Sequence, residues 1–542
     1  MESGSPAQNT SRNRVWLLLL IVYFSSLTVV TVAYRDTTIT FLRAESGWYE
    51  LVAHSDDATQ QNMKRLFWKR SYHGHYTPIA FWLEFEQTKI AGPHASYWRL
   101  HAPLIAALVA TAIFCLVRAA AAHSGLNAVA QSCVGGGTAM LFIFQPLMRE
   151  MIAWPFLILQ MMWIILTTFA LRALVGVVSE AAAKRWIWIS AIAAYASLHT
   201  SGLGLASAAA TLGTLLLFLF LTFQSESGVF DSLRLHRRSL IAASSALALM
   251  TLIHACCMWL LVPSVSPAAS GALPISLNRA LLAFFALYPF FLAHSLFLFP
   301  FAPYNIAVLL QDSWPFGLSF AAVLIFAVLI FARVARRNSE FTATRLLLFG
   351  FSALFYVVFV AMVGMREWSS TSSGDPLFGY FVGARYMVPA SVILIVAVLA
   401  LLMPALRRHQ RLAAVTALGL AACALIGQRQ FARNSYAQQQ PDATISHDRA
   451  WSLVCAMTVQ SRGAGLAVPN VPLGHLTHEF YDWDTKLFEP LLRSELHLPP
   501  QERINFTDMQ DALSVRGADY ESKVPAFAQL REILKLNDAA AH

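Results

Sequence analysis

The chain has 542 residues, 57% of them hydrophobic and 13% charged, and its mean hydropathy is +0.54. A water-soluble globular protein is excluded, because ordinary soluble domains carry about 25% charged residues. The formal net charge is +9, but the basic residues fall in short clusters between apolar runs, which marks membrane topology rather than a nucleic-acid footprint.

A helix that crosses a hydrocarbon core of about 30 Å needs about 20 mostly apolar residues. The first such run is "VWLLLLIVYFSSLTVVTVAY", residues 15–34. It has no small-residue cleavage site and is longer than a signal-peptide core, so it reads as a retained helix. Further spans are predicted over 101–119, 128–147, 152–175, 186–200, 204–223, 239–262, 316–335, 345–364, 387–406 and 411–427. With the N-terminus in the cytoplasm, these spans place every basic cluster inside: Arg12 and Arg14; Arg118; Lys184 and Arg185; Arg234, Arg237 and Arg238; Arg333, Arg336 and Arg337; Arg407, Arg408 and Arg411. The segment 279–303 is apolar enough to span. Counting it would move "RVARR" outside, so it reads as a re-entrant or interfacial helix interrupted by Pro289, Pro300 and Pro303. A twelfth span is the alternative.

The expected architecture is an all-α membrane protein with about eleven transmembrane helices. A membrane domain covers 1–427, with a long first outer loop at 35–100, and a polar C-terminal region, 428–542, lies outside the membrane. Five of the six cysteines lie in apolar runs and read as packing residues, so neither a disulfide framework nor a CxxC metal pattern is present.

The first outer loop concentrates polar chemistry. It holds Asp36, Glu45, Glu50, Asp56 and Asp57, then "YHGHYTPIAFWLEF", residues 72–85. A carboxylate just outside a membrane helix can serve as a general base, and loops are also simply acidic. His73 and His75 have H-x-H spacing, which puts both on one side of an extended segment and can begin a metal site. The other reading is a turn that orders a pocket, with Pro78 fixing entry into an interfacial helix that carries Ile79, Trp82, Leu83 and Phe85 through Ile90. In the tail, "HLTHEFYD" places His475, His478, Glu479 and Asp482 on one helical face, a solvated face or a divalent-metal site. His199, Asp312 and Asp375 are open to two readings, as groups facing an outer cavity or as hydrogen-bonded structural residues.

Three elements resemble the large polytopic glycosyltransferases of the GT-C type. The first combines "AESGWYELV" with the stretch from "GHYTPIAFWLEF" onward, matching at Glu45, His75, Tyr76, Pro78, Ile79, Gly92, Tyr97 and Arg99. The second is "FQPLMREMIAWPF", with Pro146, Glu150, Ile152 and Trp154. The third is "GARYMVPASVI", with Ala384, Arg385, Tyr386 and Pro389. The matches cover most of the membrane region in order, but not the tail. The resemblance implies an inner-membrane enzyme, with N-terminus cytoplasmic and C-terminus outside. It would transfer a sugar from a polyprenyl-phosphate donor to a glycan, lipid or protein acceptor in the cell envelope. It implies Glu45 or Asp36 as the base, and His75, Tyr76, Arg149, Glu150, Arg385 and Tyr386 as substrate contacts. Arginines can clamp a leaving lipid phosphate, or snorkel to the membrane boundary. No metal ligand is assigned, and a divalent metal cofactor stays open. Membrane lipid is the other partner. A transporter or flippase, and a non-catalytic scaffold of the same fold, are the other classes.

Overall fold

The computed structural model describes residues 6–34, 57–69, 76–91, 95–145, 148–153, 158–179, 183–224, 231–261, 342–367 and 384–431. Every regular element among them is a helix. In chain order these are α1 (Pro6–Ala33), α2 (Asp57–Lys69), α3 (Pro78–Ala91), α4 (Ala95–His123), α5 (Ala128–Ile143), α6 (Met148–Ala153) and α7 (Ile158–Ser179). They continue as α8 (Ala183–Leu198), α9 (Gly204–Gln224), α10 (Asp231–Arg234), α11 (Arg237–Leu261), α12 (Thr342–Glu367), α13 (Ala384–Arg408) and α14 (Gln410–Phe431).

Seven of these helices are long and apolar enough to cross a membrane: α1, α4, α7, α9, α11, α13 and α14. Shorter apolar helical stretches occupy Ala128–Ile143 and Leu347–Phe359. The expected spans 128–147 and 186–200 fall on the 16-residue helices α5 and α8, and 345–364 lies within the 26-residue α12, whose apolar stretch is Leu347–Phe359. At about 1.5 Å per residue, a 16-residue helix such as α5 or α8 covers only about 24 Å. The expected span 316–335, the segment 279–303 and the C-terminal region from 432 lie outside the described residues.

Burial orders the bundle. The spanning window of α7 is 67% buried, against 11% for α1 and 17% for α14. Accordingly α7 packs against α4, α8, α9, α12 and α13, while α1 leans on α4 and α14 on α5. The outward faces carry Leu17, Leu20, Phe24, Leu252 and Leu418, all exposed. Apolar surface on that scale fits a hydrocarbon solvent, in which each helix satisfies its own backbone groups.

Local chemistry sets the helix directions. At the end of α4 the Leu126 N–H donates to the Ala121 carbonyl (3.1 Å) and the Gly125 N–H to Ala122 (3.0 Å). That is a Schellman stop, with Gly125 at φ +79° as its left-handed residue. Two residues on, the Asn127 side chain caps α5 by accepting from the Ala130 N–H at 2.9 Å. The reversal is complete within four residues, so α4 and α5 run antiparallel. Asn127 N–H also donates to Gln410 Oε1 (2.9 Å), which ties this corner to the α13–α14 corner.

One end of the bundle is therefore fixed by direct contacts. The Tyr34 hydroxyl, after α1, donates to the Ile143 carbonyl at the end of α5 (2.6 Å). Gln145 Nε2 donates to Ser391 Oγ near the head of α13 (3.2 Å). The opposite end holds Lys184, Arg185, Arg237, Arg407, Arg408 and Arg411 at or beside helix termini.

Candidate functional site

At the end away from the basic helix termini, α3 docks onto the corner between α8 and α9. The docking follows from its start. Pro78 occupies the first helical position, where its missing N–H costs nothing. The Thr77 carbonyl accepts from Phe81 N–H (3.2 Å) and opens the helical ladder. The Ala80 N–H has no partner within its own helix, and it donates to the His199 carbonyl at 3.0 Å. Pro78, Ala80, Phe81, Glu84, Phe85 and Thr88 form the buried face of α3, while Trp82 and Ile90 are exposed. The helix expected after Pro78 is present, and Ile79 and Leu83 are half-buried. On the other flank Phe67 of α2 packs on Phe81 and Phe85, and Lys64 pairs with Glu86.

The α8–α9 corner is held by its own bonds. Thr200 N–H donates to Ser197 (3.2 Å), Gly204 N–H to Ser201 (2.8 Å) and Leu203 N–H to Ser201 Oγ (3.3 Å). A Cβ at Gly204 would fall 2.1 Å from the Ser197 carbonyl oxygen, so only glycine lets the chain turn this closely.

This corner presents His199 to a run of rings. Tyr195 meets His199 edge to face at 4.8 Å between centroids, His199 meets His254 at 5.2 Å, and His254 meets Tyr76 at 5.4 Å. Three elements supply these rings: the entry to α3, the end of α8 and the last turns of α11. His199 is 8% exposed and His254 4%. His199 Nδ1 and Nε2 and His254 Nδ1 are buried and have no hydrogen-bond partner among the described residues. A buried polar atom without a partner costs about 1–3 kcal/mol, so three on two adjacent rings mark a place where stability yields to something else. The Tyr76 hydroxyl donates to the Trp68 carbonyl at 3.3 Å. Burial, and next the Cys257 thiol beside it, push the Tyr76 phenol above its ordinary pKa, so it is neutral at physiological pH.

Of the expected site residues, Tyr76 is the one whose side chain is described, and it stands in this cluster. Arg149 and Glu150 lie on α6, and Arg385 and Tyr386 on the first turn of α13. The structure packs α6 against α13, and the Gln145–Ser391 hydrogen bond joins the same two regions. Asp36, Glu45 and His75 lie outside the described residues, as do His73, Asp312, Asp375 and the tail motif at 475–482. Among the described residues no group of three or more His, Cys, Asp or Glu is disposed to hold a metal ion.

Sequence reasoning missed His254, Tyr195 and Cys257 as parts of the site. His254 sits in the apolar run "ALMTLIHACCMWLL", and a lone histidine there carried no spacing signal toward His199. Its one legible mark was cost, since an ionisable side chain inside an apolar span is expensive and commonly functional. A cavity of about 100 Å³ between α5, α13 and α14 has only Thr138 and Thr416 as polar side chains in its lining, so it offers no titratable group for chemistry.

No family model, curated protein or solved structure matches this chain.

Proposed function

We propose that the chain is an integral membrane glycosyltransferase of the GT-C type. In this reading it carries about eleven spans, with the N-terminus and the basic helix ends in the cytoplasm. It transfers a sugar from a polyprenyl-phosphate donor to a cell-envelope glycan, lipid or protein on the outer side of the cytoplasmic membrane. The observation that supports the reading is that elements bearing the sequence matches lie at the same end of the bundle. There the first-loop helix α3 meets the α8–α9 corner, and α6, which bears Arg149, packs on α13, which bears Arg385. Among these, α3, α6 and α13 each hold part of one of the three sequence matches.

The chemistry divides accordingly. A carboxylate of the first outer loop, Glu45 or Asp36, takes the proton from the acceptor hydroxyl as it attacks the sugar C1. The bond from C1 to the lipid phosphate breaks, and the departing phosphate gains negative charge. Arg149 and Arg385 offer N–H donors to that charge. Tyr76, neutral and anchored on the Trp68 carbonyl, borders the sugar.

The test uses purified protein in lipid nanodiscs with radiolabelled polyprenyl-phosphate sugars and envelope acceptors. Label transfer that is lost in Glu45→Gln or Asp36→Asn, with folding intact, is the expected result. No transfer from any donor, together with normal cellular function of both variants, overturns the reading.

A further inference from the structure

The orphaned nitrogens of His199 and His254 point to a ligand of particular chemistry. A neutral imidazole offers one N–H donor and one lone-pair acceptor. On His199 both positions are buried and unused among the described residues, and on His254 Nδ1 is as well. The described ring neighbours of the pair are Tyr76, Tyr195 and each other. None of these is cationic, so nothing among them holds an anion. Phosphate and carboxylate oxygens only accept, and would satisfy half of each ring. A hydroxyl both donates and accepts, and it matches a neutral imidazole on both counts.

We infer that His199 and His254 form a recognition subsite for two neighbouring hydroxyls of an uncharged sugar. The inference rests on the glycosyltransferase reading and specifies how the donor sugar is recognised. The ring planes stand at 87°, so their donor and acceptor directions lie along different axes. Hydroxyls on adjacent ring carbons of a pyranose also diverge, and can be met by one imidazole each. In this structure the entry of α3 covers the pair. Tyr76 lies on His254, and the cover is held by Ala80 N–H on the His199 carbonyl and by the Tyr76 hydroxyl on Trp68. Sugar entry lifts Tyr76 from His254 and frees the Cys257 thiol beside it.

The experiment titrates the full chain in nanodiscs with farnesyl phosphate, farnesyl phosphomannose and farnesyl phosphoglucose. We expect the sugar to raise affinity about tenfold or more over farnesyl phosphate. His199→Leu and His254→Leu remove that gain and keep farnesyl phosphate binding within about twofold, a change of less than half a decade. His199→Asn and His254→Asn, which keep a donor and an acceptor, retain part of it. A second readout needs no histidine variant. In a Cys256→Ser background the sugar-linked ligand speeds alkylation of Cys257, and farnesyl phosphate alone does not. Farnesyl phosphate binding without a gain from sugar, or a gain that survives both leucine variants, overturns the subsite and spares the glycosyltransferase reading. An unchanged Cys257 rate overturns the lifting of Tyr76. Binding of zinc ion in place of sugar, abolished by either leucine variant, overturns it in favour of a metal. Failure of farnesyl phosphate and both of its sugar conjugates to bind overturns the underlying reading itself.

Discussion

The imidazole of His199, in the turn after α8, stands at 87° to that of His254 in α11, with centroids 5.2 Å apart. The two residues are 55 positions apart in the chain, and the corner carrying His199 is locked by its own hydrogen bonds. This pair is predicted to cost stability and serve function. In His199→Leu two orphaned nitrogens disappear, which returns about 1–3 kcal/mol each. The edge-to-face contacts with Tyr195 and His254 are lost, at about 0.5–1.5 kcal/mol each. The gain of about 2–6 kcal/mol equals or exceeds the loss of about 1–3 kcal/mol. Thermal unfolding in detergent should match the wild type or improve, while sugar transfer falls by about tenfold to a hundredfold, one decade per lost hydrogen bond. A large drop in melting temperature with transfer preserved would show a purely structural histidine.

A second prediction concerns the tie between α5 and α13. Gln145 Nε2 donates to Ser391 Oγ at 3.2 Å and to the Phe142 carbonyl at 3.0 Å, and both side chains are buried. Ser391 also donates to the Val388 carbonyl at 2.6 Å. Ser391→Ala should cost about 0.5–1.5 kcal/mol. Gln145→Leu should cost less, because Ser391 keeps its Val388 bond. Combined, the two should couple by about 0.5 kcal/mol or more, as for residues in direct contact. Arg385 precedes Ser391 by six residues, about 9 Å along the helix. Loosening the tie should therefore raise the KM for the lipid-linked donor more than it lowers kcat.

The membrane character, the helical class and the start of α3 were legible in the sequence for definite reasons. Apolar runs near 20 residues have one stable solution in hydrocarbon, and Pro78 after a polar turn marks a helix start. The span count was less legible. The run 186–200 reads as a span by composition, but it holds only 15 residues and its helix α8 has 16, fewer than the roughly 20 that a crossing needs. Which face of α3 packs on the protein was not legible, because docking on His199 and Phe67 buries Ala80, Glu84 and Thr88 and leaves Trp82 and Ile90 exposed. The histidine pair was illegible for a different reason. His254 meets His199 through the packing of α11 against α8, and no local spacing encodes that meeting.

Tyr76 gives a pH prediction. Burial and the Cys257 thiol raise its pKa above the ordinary tyrosine value of about 10. A folded-state pKa above the unfolded one means that the neutral phenol stabilises the fold below the unfolded pKa. That contribution is lost as pH rises through the folded pKa. The stability gap between wild type and Tyr76→Phe should therefore be flat through neutral pH at about 0.5–1.5 kcal/mol. It should shrink only above pH of about 10. Tyrosinate absorbance, taken as wild type minus Tyr76→Phe, should rise later than that of free tyrosine. A step at or below the ordinary value would contradict the buried, thiol-flanked phenol.

The glycine triplet of α5 supplies an internally controlled prediction. A Cβ added at Gly137 would lie 2.6 Å from the Ala417 carbonyl oxygen and 2.7 Å from its carbon. There two helix backbones are in near contact, so no side-chain rotation relieves the clash. At Gly135 the nearest atom is a Phe114 ring carbon at 3.0 Å, which can give way in part, and at Gly136 nothing lies within 4 Å. Small residues allow membrane helices to approach closely, and van der Waals packing along that seam drives their association. Gly137→Ala should force α14 away from α5 and cost about 1–3 kcal/mol. Gly135→Ala should cost less, since a ring edge moves more readily than a backbone. Gly136→Ala should be neutral or stabilise by up to about 1 kcal/mol, the helix propensity of alanine over glycine. Thermal unfolding of the three variants in the same detergent should rank 136 above 135 above 137. Equal losses at all three would show that α5 itself, rather than its contact with α14, sets the requirement for glycine.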